Sequence, residues 1–182
     1  SHSFTINQGL IGETTGVGEI AKIGDGTLIL NGASTFGNLF VDEGKLILGG
    51  NSGIDESASV YASAQVADDA ILEGHGLIGG DLWNDGTVAP GTLGDIGTLR
   101  VVGDYSAFDD GGTVVFSLDG LNGPGVVADQ LVVGGIANLN GTAIVADKEG
   151  YFELDCGDDV RLIAASGYNG VVDSFTHNFD KL

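Results

Sequence analysis

Apolar and polar residues alternate along most of this chain with a period of two, and no segment sustains a helical period. Leu28 and Leu30, Leu46 and Leu48, Leu99 and Val101, and Val114 and Phe116 each mark one face of a short strand. A short phrase introduces these strands repeatedly: GTLIL at Gly26, GKLIL at Gly44, GTVAP at Gly86, GTLRV at Gly97, GTVVF at Gly112 and GTAIV at Gly141. The first two lie 18 residues apart (26 to 44), near the lower end of solenoid repeat lengths, so each unit is expected to stack on the last and share its core. Asn31-Gly32, Gly37-Asn38, Gly49-Gly50-Asn51 and Asn140-Gly141 suit the sharp corners that such a coil needs. The middle segment continues the alternation through Val60, Ala62, Ala64, Val66 and Ile71, with a turn at Asp68-Asp69.

From about Asp104 the spacing changes. GTVVFSLDG and ADQLVVGG flank the turn-rich LNGPG, which predicts a β-hairpin or long loop rather than another coil. An open stack exposes strand edges and apolar interior, so its last repeats should be atypical. The expected division is a body of coils over 1–103 and a capping subdomain over 104–182.

Composition agrees with an ordered β protein. The 182 residues include 33 Gly but 2 Pro, and 42% are hydrophobic, so this is no disordered polar tract. Six basic residues against 26 acidic ones give a net charge of −20. That balance disfavours nucleic acid, whose binding runs on Lys and Arg, and anionic membrane surfaces as well. No apolar run approaches the roughly 18 residues of a spanning helix, so a soluble fragment is expected. Cys156 is alone and Met is missing, which is compatible with an extracytoplasmic bacterial protein. The chain opens SHSF, with neither Met nor a charged leader region, and reads as an excised segment.

The chemistry-bearing residues favour structural roles. GHGLIGG supplies the G-x-G-x-x-G spacing at Gly74, Gly76 and Gly79, but turn residues follow where a phosphate-binding helix should begin. G-x-S-x-G is missing, and His75 sits between two turn glycines, where an exposed corner is expected. The carboxylate pairs Asp68-Asp69, Asp109-Asp110 and Asp158-Asp159 are sequence neighbours, which point to opposite faces of a strand and cannot share a substrate. Cys156 reads as a bystander thiol, no calcium-binding array is present, and no cofactor or metal is expected.

In GLIGGDLWNDGTVAPG, followed by IGTLRVVGDY, the chain resembles the C-terminal passenger region of bacterial type V autotransporters, the pertactin-like family. The family pattern is filled here by Asn84, Gly86, Pro90, Gly91, Gly97, Thr98, Leu99, Gly103, Tyr105, Asp129, Leu131, Val133, Gly135 and Gly141-Thr142. Upstream, GVGEIAKIGDGTLILNGASTFGNLFVDEGKLIL is similar to the passenger repeat, and the resemblance covers about Gly16 to Leu162. The chain departs from the pattern at Thr92-Leu93-Gly94-Asp95-Ile96, where a polar turn carrying Ser is expected. The resemblance implies a right-handed parallel β-helix closed by a C-terminal β-sandwich or hairpin cap, the autochaperone region. That region would help a virulence-type passenger fold as it emerges through its own outer-membrane β-barrel, to be displayed at the cell surface or released. Upstream coils and host surface molecules are the other implied partners, and no active site is implied. Trp83 is expected to cover the last regular coil, with Asn84 and Pro90 shaping the turns beside it. Two other readings compete: an adhesive or receptor-binding surface on the same module, and a carbohydrate-active β-helix enzyme.

Overall fold

The computed structural model describes residues 2–10, 18–49, 58–92, 95–107, 111–120, 126–149 and 160–177. Cys156, Asp109-Asp110, Asp158-Asp159, the LNGPG turn at 121–125 and the Leu93-Gly94 departure lie outside the described residues. Nineteen strands and no helix appear among those described. The protein is a parallel β-helix, its chain winding through three strand ladders per coil.

The first face stacks β1 (Ser3–Ile6), β3 (Thr27–Leu30), β5 (Gly44–Leu48), β8 (Ala70–Gly74), β11 (Thr87–Pro90), β14 (Gly112–Gly120), β17 (Thr142–Glu149) and β19 (Ser174–His177). The second stacks β6 (Ser59–Val60), β9 (Leu77–Ile78), β12 (Thr98–Val101) and the first half of β16 (Gln130–Asn138), which β18 (Ile163–Asn169) covers. The third stacks β2 (Glu19–Lys22), β4 (Asn38–Val41), β7 (Ser63–Val66), β10 (Leu82–Asn84) and β13 (Tyr105–Ala107), and the second half of β16 then follows. Five of the six Gly-Thr/Lys phrases fall on the first face, as β3, β5, β11, β14 and β17; GTLRV alone supplies the second.

The period-two pattern has a direct structural meaning. On the first face Leu46, Leu72, Val88, Val114 and Ile144 form one inward row, rung upon rung. Val60, Ile78, Val101 and Val133 form the matching row on the second face, and Leu39, Ala64, Leu82, Tyr105 and Ala137 on the third. These rows converge on a single buried core running the length of the stack. The outward positions between them are half-buried, as expected where neighbouring rungs lie roughly 4.8 Å apart and shield one another.

The pairing does not switch at 103/104: β13, β14, β16, β17, β18 and β19 continue the same parallel ladders. The hairpin expected around 121–125 is present: β14 pairs antiparallel with β15 (Val126–Ala128) over three registers. The spacing changes because both strands and connections lengthen, and the β16–β18 pairing shifts register once, between Val133 and Ile136. Along one row of the first face, Thr27, Lys45, Ile71, Thr87, Thr113, Ala143 and Ser174 are equivalent, giving steps of 18, 26, 16, 26, 30 and 31 residues.

Candidate functional site

Four of the residues singled out by resemblance, Asn84, Tyr105, Asp129 and Thr142, join one coil to another through side-chain hydrogen bonds. Asp129 enters from the corner that precedes β16 and is only 2% exposed. Its Oδ1 accepts the Gly97 N–H and its Oδ2 the Ser117 N–H, both at 2.7 Å, within the range of charge-assisted bonds. The backbone closes the same clasp, with the Asp129 N–H on the Ser117 carbonyl and the Gln130 N–H on the Gly97 carbonyl, each at 2.9 Å. One carboxylate thus ties β14, the approach to β12 and the start of β16. Gly91 lies beneath it at φ +84°, where a Cβ would press within 2.5 Å of Oδ1, so both its conformation and its space call for glycine. Leu131 follows on the inward row, fully buried between Leu99 and Ile163.

A second group is a polar thread inside the core. Asn84 ends β10 on the inward row that Val41 and Val66 occupy in the coils before it. Its Nδ2 donates to the Thr113 carbonyl at 3.1 Å and to Tyr105 Oη at 3.3 Å, and Tyr105 Oη lies 3.4 Å from Thr142 Oγ1. All three side chains are fully buried. Burial pushes the Tyr105 phenol above its ordinary pKa, against the opposing pull of its hydrogen bonds with Asn84 and Thr142. Asn84 therefore works inward across three coils rather than shaping the turn beside it. Gly86 follows at that turn, packed so closely over Ala67 that a Cβ would overlap its carbonyl.

Pro90 ends β11, paired with Gly74, at a position where its missing N–H interrupts no ladder bond because the Gly91 N–H takes over, donating to the Gly74 carbonyl at 2.8 Å. His75 occupies the same corner and is 1% exposed, which corrects the expectation of an exposed turn. The glycines flanking it serve close stacking rather than solvent exposure: a Cβ on Gly74 would overlap the Leu48 carbonyl and one on Gly76 would strike Leu48 and Ala58, while a Cβ on Gly97 of the following segment would overlap the His75 ring. The imidazole fills the space those glycines leave.

Trp83 also departs from expectation. It lies mid-stack between Gln65 and Ser106 and faces outward, half-buried, because the inward positions of β10 are Leu82 and Asn84. Alternation decides the matter: one residue in three consecutive strand positions must point away from the core. Among the described residues the aromatic rings on the last rungs are Phe175 on β19 and Tyr168 on β18.

One ladder has a sequence signature in Gly-Asp pairs that repeat periodicity alone does not single out. At the corner between the second and third faces, Ser63 Oγ accepts the Asp81 N–H at 3.1 Å, Asp81 Oδ1 the Asp104 N–H at 2.8 Å, and Asp104 Oδ1 the Ile136 N–H at 2.7 Å. Gly80, Gly103 and Gly135 precede these positions, and each lies against the accepting side chain of the coil before. Gly103 belongs to this ladder. At the N-terminal coil Lys22, 7% exposed on the inward row, donates from Nζ to the carbonyls of Gly24 and Glu43 at 2.5 and 2.8 Å. On the outside of the first face Lys45 and Glu73 form an ion pair at 2.5 Å.

Beside the Asp129 clasp a groove of about 140 Å³ runs over the outer first face, lined by Glu73, Thr87, Ser117 and Asp147 among others. Among the described residues no group of three or more His, Cys, Asp or Glu could hold a metal ion. Asp68-Asp69 forms an exposed turn, as expected. A scan against protein-family models finds no match for the chain, and neither does a search of curated proteins.

Proposed function

We propose that this chain is a non-catalytic structural module of an autotransporter passenger, one that promotes the folding of its parent protein and its passage to the cell surface. The observation that carries the reading is an asymmetry along the stack. Strands of the upstream coils are two to five residues long, whereas β14 and β17 pair over eight consecutive registers, from Gly112↔Thr142 to Asp119↔Glu149. In a solenoid each coil is stabilised mainly by its neighbours, so the first coil to form is the costly one and a long rung offsets that cost best. The C-terminal coils are therefore the stronger template, and they leave the barrel first if translocation runs from that end. The Asp129 clasp and the Asn84–Tyr105–Thr142 thread reach into this region too, joining residues 12 to 37 positions apart. The partners in this reading are the protein's own outer-membrane barrel and upstream coils, which would add at the β1 and β2 edges. Deleting 104–182 from a parent protein while keeping its barrel should leave an inserted barrel and a passenger that is protease-sensitive and poorly displayed. Unchanged surface amount and unchanged protease resistance in that deletion would refute the proposal.

A further inference from the structure

Alternation alone does not fix how the strands of this helix are aligned. It settles which side chains point inward, but it repeats every two residues, so a strand slipped by two against its neighbour keeps the same faces. The aliphatic rows accept such a slip. Val114 and Phe116 of β14 pair with Ile144 and Ala146 of β17, and a shift by two sets Phe116 against Ile144 and Leu118 against Ala146, apolar upon apolar again. The inward residues that do not accept it are the polar ones, Asn84, Tyr105 and Thr142, each fully buried.

We infer that these three are positioning residues, a register key that selects one alignment of the coils rather than adding to their stability. The Asn84 amide lies against Gly112, the first inward position of β14, where a Cβ would fall 2.5 Å from Nδ2. A slip that brings Val114 to that place drives its side chain into the amide. The same slip carries the Thr113 carbonyl, now 3.1 Å from Asn84 Nδ2, about 6.6 Å along the strand. A slip of β17 does the same to Thr142 Oγ1, now 3.4 Å from Tyr105 Oη. Each shift leaves buried polar groups unpaired, a cost that the native alignment avoids. The thread is nevertheless a poor source of stability, since Asn84 Oδ1 accepts no hydrogen bond from the described residues. Val41 and Val66 fill the same inward row in the coils before without that cost. A core asparagine that fixes register at some expense in stability acts the same way in coiled coils. Thr87 follows Asn84 by three residues, so the key aligns β14 on β11 directly. It acts within a single chain and does not depend on how the parent protein reaches its destination.

A competition between two disulfides tests this. In a Cys156→Ser background, Thr87→Cys, Thr113→Cys and Val115→Cys are combined in one chain, which is refolded in a glutathione redox buffer. Positions 87 and 113 are partners on the outward row, roughly 4.8 Å apart. Positions 87 and 115 lie about 8 Å apart in the native alignment, beyond the ~7 Å limit between bridged Cα atoms, and meet only after a slip of two residues. With the thread intact, peptide mass mapping should find the 87–113 bridge in at least about tenfold excess, the discrimination that one unpaired buried group provides. With Asn84→Val, Tyr105→Phe and Thr142→Val together, that ratio should fall at least about fivefold while the urea midpoint holds or rises. Tyr105→Phe alone keeps the ring but removes the Oη that touches both other side chains, and should lower the ratio at least about twofold. An unchanged ratio in either variant overturns the inference. So does a fallen ratio with a lowered urea midpoint in the triple variant, which would make the thread a source of stability instead.

Discussion

Replacing Asp129 by Ala removes both oxygens from the clasp and leaves the Gly97 and Ser117 N–H groups facing an apolar methyl. Each bond is short and made to a buried carboxylate. Hydrogen bonds to charged groups contribute about 1.5 to 3 kcal/mol each, so the pair amounts to about 3 to 6 kcal/mol. The Ser117 N–H is only partly buried and regains some water on mutation, so the expected loss is about 3 to 5 kcal/mol. Against the 5 to 15 kcal/mol typical of a folded domain, that is a large share of the total. Asp129→Asn keeps one acceptor but turns an N–H₂ toward the other donor, and should lose at least half as much. The assay is urea unfolding, followed by far-UV circular dichroism and by the fluorescence of Trp83, the single tryptophan. Hydrogen exchange should localise the damage, with the Gly97 and Ser117 amides accelerating more than the ladder amides of β5. A loss below about 1 kcal/mol for the Ala variant would mean that the carboxylate is solvated and the clasp adds little.

Three further outcomes follow from the same geometry. Because burial raises the Tyr105 pKa above its ordinary value of 10.0, the group favours folding fully below pH 10 and progressively less as the unfolded phenol ionises above it; denaturation midpoints should fall above about pH 10, and less steeply in Tyr105→Phe. Trp83→Ala should cost less than about 1.5 kcal/mol in urea titration, since the ring is half-buried on the outer face between Gln65 and Ser106; a cost above about 3 kcal/mol would place it in the core. With a net charge of −20, raising NaCl from about 50 to 500 mM should increase the melting temperature, and a flat or falling trend would mean that self-repulsion does not limit stability.

The repeat was legible because its signal is carried by backbone-level needs. A glycine at a corner followed by alternating apolar residues has few other solutions, and the phrases at Gly26, Gly44, Gly86, Gly112 and Gly141 all mark the same face. Side-chain direction was less legible wherever two readings shared one pattern. His75 between glycines looks like a solvent turn, but at a coil corner those glycines make room for a neighbour's backbone, and the ring turns inward. Trp83 has the size of a core residue, yet its neighbours Leu82 and Asn84 claim the inward positions of β10. The longer spacing beyond 104 does not end the ladders, because the later coils lengthen in their strands and connections while the same faces keep stacking. Asp129 stood out by resemblance. Asp81 and Asp104 did not, since a Gly-Asp pair reads as a turn in any sequence, and only the stacking joins one such pair to the next.

Unequal coil length has a consequence for how such a molecule could be lengthened or decorated. From the second face to the third the chain takes four residues in four successive coils, Val60 to Ala64, Ile78 to Leu82, Val101 to Tyr105 and Val133 to Ala137, and five and three in the coils before and after (Ser34 to Leu39, Ala165 to Tyr168), and the carboxylate ladder sits at that bend. From the first face to the second it takes 12 residues between Leu48 and Val60, 4 between Gly74 and Ile78, 11 between Pro90 and Val101 and 19 between Ala146 and Ala165. One bend acts as a fixed spine and the other as an open margin. Added sequence at the margin costs only slowly growing closure entropy, about 0.6 kcal/mol per doubling, while the same addition at the spine would break a side-chain bond on every neighbouring rung. Grafted peptides should therefore be tolerated along a single column of the molecule, and the roughly 4.8 Å between rungs argues for placing them on alternate coils.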